Sequence, residues 1–297
     1  MIRKKLWRVG IVMAIALCAT IVSPLGNWGP YNKANAAENG TVSPYVVGGS
    51  DATTPWTVSL QTVTPNGNQH ECGGVLIKSQ WVLTAAHCTP YVSTSSVARI
   101  GSLNRNSGGE SIAVAKVIPY PTFPKADGTF GDDIALVKLL KPARNAAPFT
   151  IAPTGAIGST GIAAGWGLTC DKDLTDPTCG NSVPEHLRQV ELRRVDDTQC
   201  SLYDPQLGQD INDPSTMDCF VSARGLEEGI CFGDSGSPLL QQKNGSWSVV
   251  GIINADMDST VLHERICSTA PNGGTNHQAT TDVWPFKSWI DQTILFN

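Results

Sequence analysis

The chain has 297 residues, 41% of them hydrophobic and 16% charged, which is enough apolar material for a sizeable core in one or two domains. Its formal net charge is −5 and no basic block lies beyond the N-terminus, which excludes the electrostatic footprint of a nucleic-acid binder. Glycine (29) and proline (19) are plentiful and the apolar runs are short, a pattern that favours an all-β chain.

Arg3, Lys4, Lys5 and Arg8 form a basic start, followed by an apolar run from Val9 to Val22 that is too short for a comfortable membrane span. Ala34-Asn35-Ala36 then fits a small-residue cleavage signal, so residues 1–36 read as a secretory signal peptide of bacterial style, with a retained N-terminal anchor as the rival. Of nine cysteines, Cys18 lies in this leader. The other eight form an even set, which behind a signal peptide reads as disulfides. Metal binding is the competing reading, opposed by the absence of a Cys-x-x-Cys cluster and the scarcity of histidine.

Residues 37–45 are short and polar. Strand-like segments follow at Pro55–Leu60, Cys72–Ile77 and Trp81–Thr84, the last running into Thr84-Ala85-Ala86-His87-Cys88. Val97–Ile100 and Ser111–Val114 continue the rhythm, and too few carboxylates surround Gly108, Gly109 and Glu110 to build a calcium site. Asp133 stands directly before the apolar Ile134-Ala135-Leu136, while its neighbour Asp132 reads as a solvated loop residue. Pro142–Ser159 has linker composition. Residues 168–183 read as a surface loop, and His186 beyond them as exposed or structural. Val249–Ile253 is a buried strand, 256–278 a long polar connection, and Phe286, Trp289, Ile290 and Ile294 recur at helical spacing after Pro285. The sequons at Asn39 and Asn244 are chance matches if the leader is bacterial.

The stretch Gly233-Asp234-Ser235-Gly236-Ser237-Pro238 is a tight turn carrying one exposed hydroxyl. A serine near neutral pH is a poor nucleophile until a base takes its proton, a third group holds that base, and N–H donors face the oxyanion. His87, Asp133 and Ser235 supply base, acid and nucleophile in an order that differs from the subtilisin and α/β-hydrolase orders. With these segments the sequence resembles the chymotrypsin-like, trypsin-fold serine endopeptidases.

That resemblance covers residues 46–297 and implies two six-stranded antiparallel Greek-key β-barrels, about 46–158 and 159–297, with the site between them and a C-terminal helix. It implies Ser235 as nucleophile, His87 as general base and then acid, Asp133 as the group orienting the imidazole, and the N–H groups of Gly233 and Ser235 as oxyanion hole. It implies the disulfides Cys72–Cys88, Cys200–Cys219 and Cys231–Cys267. Cys170 and Cys179 are left over and pair as a local staple. A Cys72–Cys88 bridge closes a loop of about 15 residues, worth roughly 3 kcal/mol on the chain-entropy model. No metal or cofactor is required.

Val46-Val47-Gly48-Gly49 resembles the N-terminus that the family's zymogens acquire on cleavage, whose amine pairs with the acid before the nucleophile, here Asp234. Tyr45 departs from the basic residue that many relatives carry before the cut. The resemblance also places Gly229 at the base of the specificity pocket, with Asp256 and Gln278 on its walls. An uncharged base and polar walls imply small or medium uncharged side chains before the cut, with Asp256 as an anion selecting Lys or Arg as the alternative. Two departures bear on substrate binding. Ser237 stands where the family has a second glycine, and Asn254-Ala255-Asp256 stands where it has Ser-Trp-Gly, with Asn254 a possible donor to Asp133. The expected product is a secreted, extracellular monomer acting on polypeptides after an activating protease has cut it, free of membrane once the signal is removed. A silent binding module and a secreted esterase are the rival functions.

Overall fold

A computed structural model of the chain describes residues 49–169, 183–200, 203–204, 209–224, 228–256 and 277–297. The expected signal peptide and propeptide (1–45), Val46, Cys170, Cys179 and Cys267 lie outside these residues. Six strands build the first half: β1 (Val58–Thr64), β2 (Gly67–Lys78), β3 (Trp81–Thr84), β4 (Ser96–Ile100), β5 (Glu110–Pro119) and β6 (Ala135–Leu139). They close into an antiparallel barrel in the order β1-β2-β3-β6-β5-β4. Six more build the second: β7 (Thr160–Gly165), β8 (Arg188–Arg194), β9 (Met217–Ser222), β10 (Pro238–Lys243), β11 (Ser246–Asp256) and β12 (His277–Asp282). Their ring runs β7-β8-β9-β12-β11-β10 and returns to β7, the same order again.

The residue pattern explains why both rings close. In β3, Val82 faces the interior of the first barrel, while Trp81 and Leu83 face a second apolar layer shared with the other barrel. All four residues of β3 are therefore buried, and the strand reads as a continuous apolar run rather than an alternating one. In β6, Val137 likewise points into the barrel and Leu136 into the seam. The second barrel fills with Val190, Leu192, Phe220, Leu239 and Val250. The seam layer also takes in Leu240, Val249 and Ile252 from the second barrel, so the barrels share one core between them.

The expected strands are present with shifted ends. β1 begins at Val58 rather than Pro55, because Pro55 has no N–H to give a ladder and Trp56 turns back to donate to Thr54. The Pro142–Ser159 linker stitches the barrels together: Phe149 donates to Leu76 in the first, and Thr150–Ile151 lies parallel to β11 in the second. At the end of the chain, Pro285 sits in a 3-10 turn (Trp284–Phe286) that leads into α1 (Lys287–Phe296). Phe286 and Ile290 are buried against the seam, and Tyr120 meets Phe286 and Trp289 edge-on. No helix among the described residues is long and apolar enough to cross a membrane.

Disulfides join Cys72 to Cys88 and Cys200 to Cys219 as the resemblance implied. Cys231 is also disulfide-bonded, and its expected partner Cys267 is outside the described residues.

Candidate active site

His87, the expected base, comes from the end of β3. The strand stops at Thr84 and a 3-10 turn over Ala86–Cys88 carries His87, with Cys88 locked to Cys72 of β2. Asp133, the expected acid, comes from just before β6. Asp132 takes a positive φ of 64° and its carbonyl accepts from Ile134 N–H, a tight turn that drives Asp133 inward until it is fully buried. Asp132 itself is half-buried, its carboxylate accepting from the Thr122 hydroxyl. The Asp133 carboxylate takes two bonds from His87: Oδ1 from the backbone N–H at 2.7 Å and Oδ2 from ring Nδ1–H at 2.6 Å. The second bond fixes the tautomer and leaves Nε2 facing the cleft as an acceptor. Burial alone lowers the His87 pKa, but the charge and hydrogen bond of Asp133 outweigh it, and the imidazole ends above its ordinary value.

Ser235, the expected nucleophile, sits on a turn that glycines make possible. Gly233 has φ of 96° and Gly236 of 77°, a region that side chains with a Cβ rarely enter. The turn lies against the first barrel: Gly73 N–H of β2 donates to Ser235 C=O at 2.7 Å. A Cβ on Gly236 would fall 2.2 Å from Thr84 Oγ1 and 2.6 Å from Gly73 O, so no larger residue fits beside the end of β3. Among the described residues, the N–H groups of Gly233 and Ser235 donate to nothing, and the Ser235 hydroxyl makes no hydrogen bond. Two unused donors flanking a half-buried hydroxyl are what an oxyanion site requires.

Under the turn lies Asp234, fully buried. Its carboxylate accepts from Gly167 N–H at 2.7 Å and Cys231 N–H at 2.9 Å. Burial pushes its pKa up to about 7, against the pull of these two bonds. A Cβ on Gly165 or Gly167 would strike this carboxylate, so both glycines cradle it.

His70 is a member of the site that sequence reasoning missed. Its Nε2 lies 2.9 Å from the carbonyl of Gly233 and its Nδ1 lies 2.7 Å from Ser59 Oγ. A carbonyl can only accept, so Nε2 carries the proton and Ser59 donates to Nδ1. Burial lowers the His70 pKa to about 4, so the ring is neutral near pH 7 and anchors the oxyanion turn without charge. The only sequence signal is a histidine on the strand leading to Cys72, which by itself is no motif.

The expected pocket residues lie together. Gln278 of β12 is fully buried and its amide straddles Gly229. Oε1 accepts from Ile230 N–H at 3.1 Å and Nε2 donates to Glu228 C=O at 3.4 Å. Asp256, described in its main chain only, pairs with Gln278 in register. Phe232, just before Gly233, presents an exposed phenyl at the rim, an apolar surface the sequence reading did not identify. Ser237 packs into the space over Gly73, where a Cβ would fall 1.9 Å from its Oγ, and its hydroxyl is buried without a partner. Asn254 does not donate to the Asp133 carboxylate. Its Nδ2 reaches Phe130 C=O and Thr281 Oγ1 instead. Cys72, Cys88 and His87 cluster as potential metal ligands, but the two sulfurs are bonded to each other. His186 is structural, paired with Asn104 across an isolated bridge.

Two closed barrels with a histidine–carboxylate pair and a serine-bearing turn at their seam make the frame of a two-barrel serine hydrolase. Comparison with known proteins narrows this. The family model described as trypsin matches residues 46–290. Human chymotrypsin-like elastase family member 1 is 32% identical over 263 residues, covering 85% of this chain and 93% of that protein. A trypsin of Sarcophaga bullata is 33% identical over 257 residues, covering 84% of this chain and 88% of that protein. The chain belongs to the trypsin family and is a serine endopeptidase. The binding-module and esterase readings fall away with this result. Both relatives are animal proteins, so they lend no support to a bacterial type.

Asp133→Asn is expected to lower kcat by about four orders of magnitude, the loss known for a triad deprived of this carboxylate. Removing the charge that raises the His87 pKa should also move the acid limb of kcat/KM to lower pH. Peptide hydrolysis followed from about pH 5 to 9 measures both, and an acid limb left in place would show that Asp133 does not act on His87.

Proposed function

We propose that the protein is secreted and made as a zymogen, with residues 1–36 as signal peptide, 37–45 as propeptide and 46–297 as a peptidase domain whose barrels divide near residue 158. Its substrates are polypeptides, cleaved through an acyl-enzyme. Ser235 Oγ attacks the carbonyl while His87 Nε2 takes its proton, Asp133 holds the imidazolium, and the N–H groups of Gly233 and Ser235 receive the oxyanion. His87 then returns the proton to the departing amine, and water repeats the sequence on the acyl group. The observation that carries this reading is the pair of bonds from His87 to buried Asp133 beside a serine turn with two unspent N–H donors. The bacterial style of the leader rests on residues 1–36 alone.

Activation follows from Asp234. As pH rises through about 7 a buried carboxylate ionises and loses stability unless a cation meets it. A cut before Val46 makes such a cation, the new α-amine, and its pairing with Asp234 locks the Gly233–Ser235 turn.

For specificity, Gly229 places no charge at the base of the pocket, and the Gln278 amide spends both its ends on main chain around it. Small or medium uncharged side chains before the cut fit this space. Asp256, opposite Gln278 in register, supports the competing choice of Lys or Arg.

Ser235→Ala should abolish labelling by a fluorophosphonate and lower kcat by about six orders of magnitude, as loss of a triad nucleophile does; turnover at the wild-type rate would overturn the mechanism. Protein beginning at Val46 should be active and protein beginning at Ala37 nearly inactive, with Asp234→Asn resembling the uncut form after cleavage. N-terminal sequencing of the active species decides this, since an active form that retains residues 37–45 contradicts it. On matched peptides with Ala, Val, Phe or Arg before the cut, kcat/KM should be highest for Ala or Val. A preference for Arg of about tenfold that disappears in Asp256→Ala would establish the acidic wall instead.

A further inference from the structure

The acid of the triad belongs to the first barrel, but the segment that delivers it is held by the second. Residues 130–133 form the turn before β6. On one side Phe130 N–H donates to Ile211 C=O at 2.8 Å, and a Cβ on Gly131 would fall 2.3 Å from Asp213 Oδ2 and 2.8 Å from Thr216 Oγ1. On the other side stands Asn254 of β11, 6% exposed. Its Nδ2 donates to Phe130 C=O at 3.2 Å and to Thr281 Oγ1 at 3.5 Å. Thr281 of β12, fully buried, donates its own hydroxyl to Asp133 C=O at 3.1 Å. The two hydrogens of one amide are thereby spent at the two ends of the segment, one directly and one through Thr281.

The Asp133 carboxylate takes its donors from His87, at the backbone N–H and at Nδ1, and Asn254 supplies neither. Its aim depends on where residues 130–133 put the main chain. That turn is strained at Asp132, whose positive φ is costly for a residue with a Cβ, so it needs outside contacts to hold it.

We propose that Asn254, acting through Phe130 and Thr281, is a positioning residue that sets the Asp133 carboxylate on His87 from across the barrel seam. This rests on the triad reading of the site. The side-chain amide suits the task because one nitrogen donates two hydrogen bonds, one to a carbonyl and one to a hydroxyl oxygen, which a single hydroxyl cannot do.

The test uses the active protein beginning at Val46, with concentrations set by fluorophosphonate titration of Ser235. Asn254→Ala and Thr281→Val should each lower kcat by about tenfold or more with KM changed by no more than about twofold, the mark of an interaction used in the transition state. Both should shift the acid limb of kcat/KM to lower pH, because a misaimed carboxylate supports the imidazolium less. Thr281→Ser keeps the hydroxyl and should recover what Thr281→Val loses. If Asn254→Ala yields no titratable sites, the Thr281 pair decides the matter alone. Wild-type kcat in these variants overturns the proposal, and so does a lower kcat with the acid limb unmoved, which would mark a structural role only. Failure of the triad reading would appear separately, as turnover surviving in Ser235→Ala.

Discussion

A main-chain hydrogen bond ties the two sides of the site to each other: Gly73 N–H to Ser235 C=O across the seam at 2.7 Å. Gly73 follows Cys72, Cys72 is bonded to Cys88, and Cys88 follows His87. Ser235 of one barrel is thus tied to His87 of the other by a short path of main chain, one disulfide and one hydrogen bond. Thr84 closes the arrangement, its hydroxyl donating to Gly73 C=O just before the base segment begins. A two-barrel fold needs such a tie because interior packing within each ring says nothing about the angle between rings.

The tie sets the sequence around it. Main chains can approach this closely only where side chains are absent, which accounts for Gly73 and Gly236 at the contact. Ser237 occupies the room left over Gly73 and pays for it with a buried hydroxyl that has no partner, a cost of about 1–3 kcal/mol. The His70 bond to Gly233 C=O holds the same turn from the first barrel.

What could be read from the sequence was whatever is local. His87 beside a cysteine, Asp133 at the mouth of an apolar strand, and the glycine-flanked Ser235 each declare themselves within a few residues, and β3 and β6 are plain apolar runs. The strands β8, β9 and β12 were not singled out, because charged and polar residues such as Arg188, Asp218 and Gln278 are buried in or beside them through contacts with distant residues. His70 was invisible for the same reason: its partners Ser59 and Gly233 are 11 and 163 residues away. The sequence shows Asn254 as a departure but not its partner, since nothing local says that its amide meets a carbonyl of the other barrel.

The two buried acids of the site complete the physical picture by contrast. Asp133 and Asp234 are both removed from solvent, yet their surroundings ask different things of them. Asp133 has a titratable partner delivered by the fold itself, and it raises the pKa of that partner, His87. Among the described residues Asp234 has two main-chain donors, and burial outweighs them. One carboxylate is therefore complete as folded, while the other is costly to ionise until a cation reaches it. In the proposed zymogen that difference separates assembly from activation: the base and its acid are set when the barrels close, and the oxyanion turn is committed only when a new amine arrives beneath it.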